Sequence, residues 1–224
     1  MKNRYSKSSK LSEAKFRLII KCFALDLTAT QTAEMIGISR NSINRIFSEI
    51  RHRIAENSRV HSPLSGEFEA DESYFGATRV KGKRGRGAGG KKIVFGLLKR
   101  DGNVYVQVVP NAKAVTLQAI ISGRADIESV IYTDGWAGYN GLVSLGYEKH
   151  FRVQHSKDEF SAGGGNHING IESFWSFAKH RLLKFRGISP ETFDLHLRET
   201  EFRFNHRNDN LYKLLLKLLR SYPL

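Results

Sequence analysis

Residues 163–186, GGGNHINGIESFWSFAKHRLLKFR, constrain the fold of this chain more than any other stretch. Three consecutive glycines open onto Ile171, Phe174, Trp175, Ala178 and Leu182, which recur at the i, i+3, i+4, i+7 and i+11 spacing of a buried stripe. That spacing predicts an amphipathic helix docked on a core. Asn169 can cap its start. At 3.6 residues per turn Glu172 and Lys179 share one edge of the helix, and Asn169 joins them there. A glutamate and a lysine beside a buried stripe are ordinarily just solvated charges. The glycine run, His167 and Trp175 around them are not what a solvated helix needs. A single glutamate cannot hold a hard, oxygen-preferring divalent cation, so partner carboxylates must be sought elsewhere in the chain.

The charge balance narrows the choice of partner. With 36 Lys+Arg against 22 Asp+Glu the chain carries +14, while 40% hydrophobic and 11% aromatic residues in 224 exclude a mainly disordered protein. Such a field suits a polyanion, nucleic acid first and an anionic membrane surface second. Cys22 is the only cysteine, which excludes an intramolecular disulfide framework and a cysteine-based zinc site and fits a reducing cytoplasm. The apolar residues 18–27 are broken by Lys21 and Asp26, so they are neither a signal peptide nor a membrane span. A cytoplasmic protein without a membrane partner is expected.

Taken in order, the chain opens with a basic, serine-rich arm over residues 1–10 and a helix over 11–27. Thr30 then caps a short helix, Gly37 turns the chain, and Ser39 caps a second helix with Ile43, Ile46 and Ile50 on its buried side. This is helix-turn-helix patterning. A plain helical hairpin would share it, but the cap followed by RNSINR favours a helix that offers Arg40, Asn41, Asn44 and Arg45 to a DNA groove. Residues 56–66 read as a linker. The stretch GEFEADESYFG reads as a strand bearing Asp71 and Glu72, and acids inside a strand are costly unless used. Residues 79–92 hold seven basic residues, five glycines and no acid. They form a cationic loop whose Lys83, Arg84, Arg86, Lys91 and Lys92 can clamp phosphates.

Residues 93–98 and 104–109 read as a hairpin turning at Asp101-Gly102. A helix follows over 114–124, then a buried strand over 129–132 leading to Asp134. Residues 139–145 are expected as a helix, 147–155 as a strand, and Asp158-Glu159 as an acidic loop. After the long helix, Ser189-Pro190 opens a further helix, and residues 211–220 form an amphipathic basic one that simple packing explains better than a membrane surface.

Three strands, a helix, a strand ending in Asp134, another strand and a helix bearing Glu172 follow the order of a ribonuclease-H-like α/β core, a mixed sheet flanked by helices. The expected division is a small all-α helix-turn-helix domain over residues 1–58, a catalytic domain over 67–210 and a basic C-terminal helix over 211–224. Three carboxylates at one sheet edge can hold two Mg²⁺ ions about 4 Å apart, one for an attacking and one for a departing oxygen.

Read together, GEFEADESYFG, IYTDGW, HINGIESFWSFAKHRL and EFRFNHR resemble the insertion-sequence transposases of the DDE superfamily, over most of the chain. The match is specifically to a bacterial group with Glu or Asn at the third acidic position and Lys seven residues later. The resemblance implies metal-dependent hydrolysis at transposon ends, followed by attack of the freed 3′-hydroxyl on target DNA. It gives Asp71, Asp134 and Glu172 to Mg²⁺, with Mn²⁺ as a substitute, and Lys179 to DNA near the scissile phosphate. Asn169, on the same helical edge, is a ligand instead of or beside Glu172, and Glu72 and His167 stand near enough to support the set. Double-stranded DNA, as terminal repeats and target, is the implied partner, bound by a homo-oligomer in the bacterial nucleoid. Two alternatives remain: an inactive, domesticated DNA-binding regulator, which the three retained acids argue against, and a metal nuclease that cuts without joining.

Overall fold

The computed structural model describes residues 3–7, 9–58, 64–76, 91–100, 102–134, 146–147, 149–153, 167–185 and 187–224. The cationic loop up to residue 90, the helix expected over 139–145, Asp158-Glu159 and the glycine run lie outside them. The chain divides into two compact units, Met1–Val60 with Arg181–Leu224, and His61–His180.

The second unit is built on a five-stranded sheet in the order β3-β2-β1-β4-β5. It comprises β1 (Glu67–Phe75), β2 (Lys92–Lys99), β3 (Val104–Val109), β4 (Val130–Asp134) and β5 (Lys149–Val153). β1, β2 and β3 run antiparallel, as the short turn at Gly102 allows, and β4 and β5 run parallel to β1. The crossover from β3 to β4 carries α4 (Ala114–Ser122). This is the ribonuclease-H-like arrangement.

Alternation along β1 divides its side chains between two faces. Phe68 and Ala70 join Phe95, Leu97, Ile131 and the α4 residues Leu117 and Ile121 in one core. Glu69, Asp71 and Phe75 face the other way, toward α5 (Asn169–Leu183). The predicted stripe of α5 is buried throughout, at Ile171, Phe174, Trp175, Ala178 and Leu182.

The other unit contains α1 (Glu13–Ala24), α2 (Ala29–Ile36), α3 (Arg40–Asn57), α6 (Phe193–Asn205) and α7 (Leu211–Ser221). Its core joins Phe16, Ile19 and Phe23 of α1 to Ile43, Phe47 and Ile50 of α3 and to Leu215 and Leu219 of α7. The α2–α3 turn is the predicted one, with Gly37 at φ +70° and Ser39 capping α3. The cap of α2 is Thr28, two residues earlier than Thr30, because Gln31 completes a reciprocal capping box with it. The expected loose arm is also placed: Tyr5 is buried and stacks on Phe16, and Leu224 exchanges backbone hydrogen bonds with Tyr5 and Lys7.

Residues 181–210, part of the expected catalytic domain over 67–210, fall in the same compact unit as the N-terminal helices, and a charged core accounts for that grouping. Glu199 on α6 is 1% exposed. It accepts from Arg51 Nε at 2.7 Å and Arg203 Nε at 2.8 Å, and Arg181 pairs with it as well as with Asp26. Burial alone would raise this carboxyl, but Arg181, Arg203 and Arg51 outweigh it and hold Glu199 down from 4.5 to about 2. Beside it, burial and then the Arg51 charge pull the His196 imidazole from 6.5 to about 4.

Both shifts make this unit acid-sensitive. Between 6.5 and about 4 only the unfolded chain protonates His196, so stability present above that window is lost through it. Glu199 acts with the same sign between 4.5 and about 2. Denaturant unfolding should therefore show a His196 and Glu199 contribution that falls by up to about 1.4 kcal/mol per pH unit through those two windows. His196→Phe, which keeps the ring against Phe185, should remove the upper part of that slope.

Candidate functional site

β1 and β4 pair in parallel register with Ala70 opposite Thr133, so Asp71 and Asp134 stand one step further along both strands and side by side. Burial first, then the Glu72 and Asp134 charges, push the Asp71 carboxyl from 3.8 to about 7. Two opposing influences are a backbone hydrogen bond from Glu72 and the Trp175 indole, whose Nε1 donates to Asp71 Oδ2 at 2.9 Å. Two oxygen-donor carboxylates that repel one another in a half-buried place suit a hard divalent cation. Glu72 is itself buried and, by alternation, on the opposite face of β1.

Trp175 reaches Asp71 because β2 leaves it room. Gly96 is the register partner of Asp71, and a Cβ there would lie 2.6 Å from Trp175 Cζ2 and 2.9 Å from Ile171 Cδ1. A glycine inside an otherwise apolar strand is the sequence sign of such an approach, and here it admits the indole.

Asn169, Glu172 and Lys179 are exposed on α5. Glu172 is three residues from Trp175, so it borders the helix edge that meets Asp71. Among the described residues no three His, Cys, Asp or Glu side chains are gathered closely enough to hold a metal ion. The structure thus joins Asp71 to Asp134 and leaves Glu172 outside such a cluster.

Asn169 is not the cap of α5. It is the first helical residue, and the residue before it, Ile168, has no side-chain acceptor. The cap comes from β1, where Glu69 Oε2 accepts from the Ile171 backbone N–H at 2.9 Å. Glu69 Oε1 accepts from Arg100 Nε at 3.2 Å, and His167 Nδ1 lies 3.6 Å away from it. Sequence reasoning passed over Glu69 and Arg100, since no local spacing links residues that meet only through a sheet and a helix.

In the helical unit, Arg40, Asn41, Asn44 and Arg45 are all exposed along α3, while Ile43, Ile46, Phe47 and Ile50 are buried on its other side. Among the described residues Arg45 pairs loosely with Glu49 at 4.0 Å, and this exposed face presents its donors to solvent. Of the cationic loop, Lys91 and Lys92 are described, half-buried at the start of β2. Lys83, Arg84 and Arg86 lie outside the described residues.

Residues 63–205 match the family model described as the ISXO2-like transposase domain. An uncharacterized transposase-like protein of Haemophilus influenzae is 43% identical over 103 residues, covering 46% of this chain and 81% of that protein. An uncharacterized protein in transposable element ISH50 of Halobacterium salinarum is 32% identical over 205 residues, covering 84% and 68%. Among solved structures, the catalytic core domain of BIV integrase aligns at 12% identity with a TM-score of 0.43, over 70% of this chain and 98% of that one. The Mos1 strand transfer complex aligns at 14% identity with a TM-score of 0.37, over 95% and 76%. No described helix is long and apolar enough to cross a membrane.

The packing at Gly96 is directly testable. Gly96→Ala drives a methyl into Trp175 and Ile171 and should cost about 1–3 kcal/mol in denaturant unfolding, as overpacking does.

Proposed function

Because this chain belongs to the ISXO2-like transposase domain family, within the DDE superfamily of insertion-sequence transposases, we propose that it cleaves the ends of its element and joins the freed 3′-hydroxyl to target DNA. The observation that carries this reading is the juxtaposition of Asp71, in the middle of β1, with Asp134, at the end of the parallel neighbour β4, with Asp71 raised to about 7. Asp71, Asp134 and Glu172 are the acids that would hold the metal, with Asn169 as the alternative or companion of Glu172. Mg²⁺ bound there, or Mn²⁺ in its place, supplies charge stabilisation to the attacking and leaving oxygens.

The chain's own groups do the rest. Trp175 orients the Asp71 carboxylate through its indole N–H. Lys179, exposed on the same helix edge as Glu172, holds a DNA phosphate near the scissile bond. Arg40, Asn41, Asn44 and Arg45 read the terminal repeat in a major groove, and the cationic loop grips the backbone without choosing sequence. Joining requires two ends held together, so the working form is a homo-oligomer on DNA.

Asp71→Ala, Asp134→Ala and Glu172→Ala should each abolish Mg²⁺-dependent cleavage of terminal-repeat DNA while leaving binding largely intact in a mobility-shift assay. Retained cleavage in Asp134→Ala would sink the metal assignment, and Asn169→Ala beside Glu172→Ala identifies the third ligand. Sequencing the products separates joining from cutting alone.

The recognition face has its own test. Replacing Arg40, Asn44 or Arg45 by Ala should reduce preference for terminal repeats over random DNA by about 1–3 kcal/mol for each side chain that reads a base edge. Footprints that keep their sequence preference in all three variants would move recognition elsewhere.

A further inference from the structure

We infer that Glu69 is a positioning residue that sets the place of the first turn of α5, and through it Asn169 and Glu172; the inference rests on the reading of those residues proposed above. The first turn of a helix carries backbone N–H groups that no intrahelical carbonyl satisfies. Ile168 cannot serve them from the cap position. Glu69 reaches across from β1 instead and takes the Ile171 N–H at 2.9 Å. A carboxylate also meets the positive end of the helix dipole there.

The surroundings of Glu69 hold it to this task. It is 2% exposed, and Arg100 braces it with Nε at 3.2 Å from Oε1. The same guanidinium donates to the His167 carbonyl at 2.6 Å and to Glu67 at 2.8 Å, and it stacks 3.7 Å from the Tyr132 ring centre. Arg100 thereby ties the segment entering α5 to the carboxylate that caps it. A second, independent feature is Gly170. A Cβ there would lie 2.8 Å from Glu69 Oε2 and 2.9 Å from Leu98 Cδ2, so the backbone approaches the carboxylate as closely as only glycine permits. Asn169 and Glu172 are the immediate neighbours of the Gly170-Ile171 pair held in this way. A shift of that turn moves both, and catalytic geometry tolerates little displacement.

The test compares Glu69→Ala, Glu69→Gln, Gly170→Ala and the double variant Glu69→Ala/Gly170→Ala in the full chain. Two readouts are taken, amide hydrogen exchange over residues 167–175 and single-turnover cleavage with DNA affinity measured separately. Glu69→Ala should speed exchange at Ile171 by roughly fivefold to thirtyfold, as removal of one capping bond does. It should slow cleavage about tenfold to a hundredfold at unchanged DNA affinity. Glu69→Gln keeps an acceptor oxygen and should recover the protection and most of the rate. Gly170→Ala should mimic Glu69→Ala, and the double variant should be no worse than the poorer single one, because truncating Glu69 removes the contact with its carboxylate and leaves only the end of the flexible Leu98 side chain to give way.

Unchanged exchange in Glu69→Ala overturns the inference. So does a Glu69→Gln variant that is protected yet as slow as Glu69→Ala, since Glu69 would then act by its charge, at the chemistry itself. If the wild-type chain does not cleave DNA, the proposed function fails while the exchange comparison still decides whether Glu69 places α5.

Discussion

The approach of α5 to the sheet at two glycines is the constraint on which the candidate site depends. Gly96 on β2 leaves room for the Trp175 ring, and Gly170 lets the first turn of α5 settle on the Glu69 carboxylate. With the helix that close, the acids on its side of β1 face backbone and indole N–H groups instead of bulk water. Each has found a donor: Glu69 the Ile171 amide, Asp71 the Trp175 indole. Buried carboxylates are tolerated only when so satisfied. The same burial raises Asp71 toward neutrality next to Asp134, and so creates a place that a divalent cation would relieve.

The helical unit solves a different problem with charge in its interior. Glu199 on α6 gathers Arg51 of α3, Arg181 and Arg203, and Asp26 takes a share of Arg181 and Arg203. Such a cluster is a weak source of net stability, because desolvation offsets much of the attraction. Its geometric effect is to join α6 to α3 through the Arg51–Glu199 pair at 2.7 Å. Arg51 also lies over the Phe23 and Phe47 rings, so the charged centre and the apolar core share walls. The second half of α3 is thereby anchored, and one face of its first turns remains exposed, with Arg40, Asn41 and Asn44 outward.

Periodicity made the elements legible. A helix with a buried stripe must repeat near 3.6 and a half-buried strand near 2, so α3, α5, β1, β2 and β3 lie within a few residues of where the sequence puts them. Caps were less legible. Thr28 displaces Thr30 because a partner at Gln31 decides between two threonines, and α6 starts at Phe193, three residues beyond the Ser189-Pro190 signal, whose hydroxyl is engaged in a turn with Thr192. The buried Tyr5 carried no sign in a polar, basic segment, since one aromatic residue has no period.

What the sequence determined by itself was most of the described elements, the α/β class and the order in which its acids occur, because these follow from local spacing and residue chemistry. It could also mark Asp71 and Asp134 as strand acids wanting a use. Only the tertiary structure decided which acids meet. The parallel register of β1 and β4 sets Asp71 beside Asp134, and the close docking of α5 turns Glu69 from one more charge in a strand into the cap of a distant helix. The reason is the same in each case. Contacts between residues about 60 or 100 positions apart are set by sheet register and helix docking, and neither leaves a trace in the spacing of neighbouring residues.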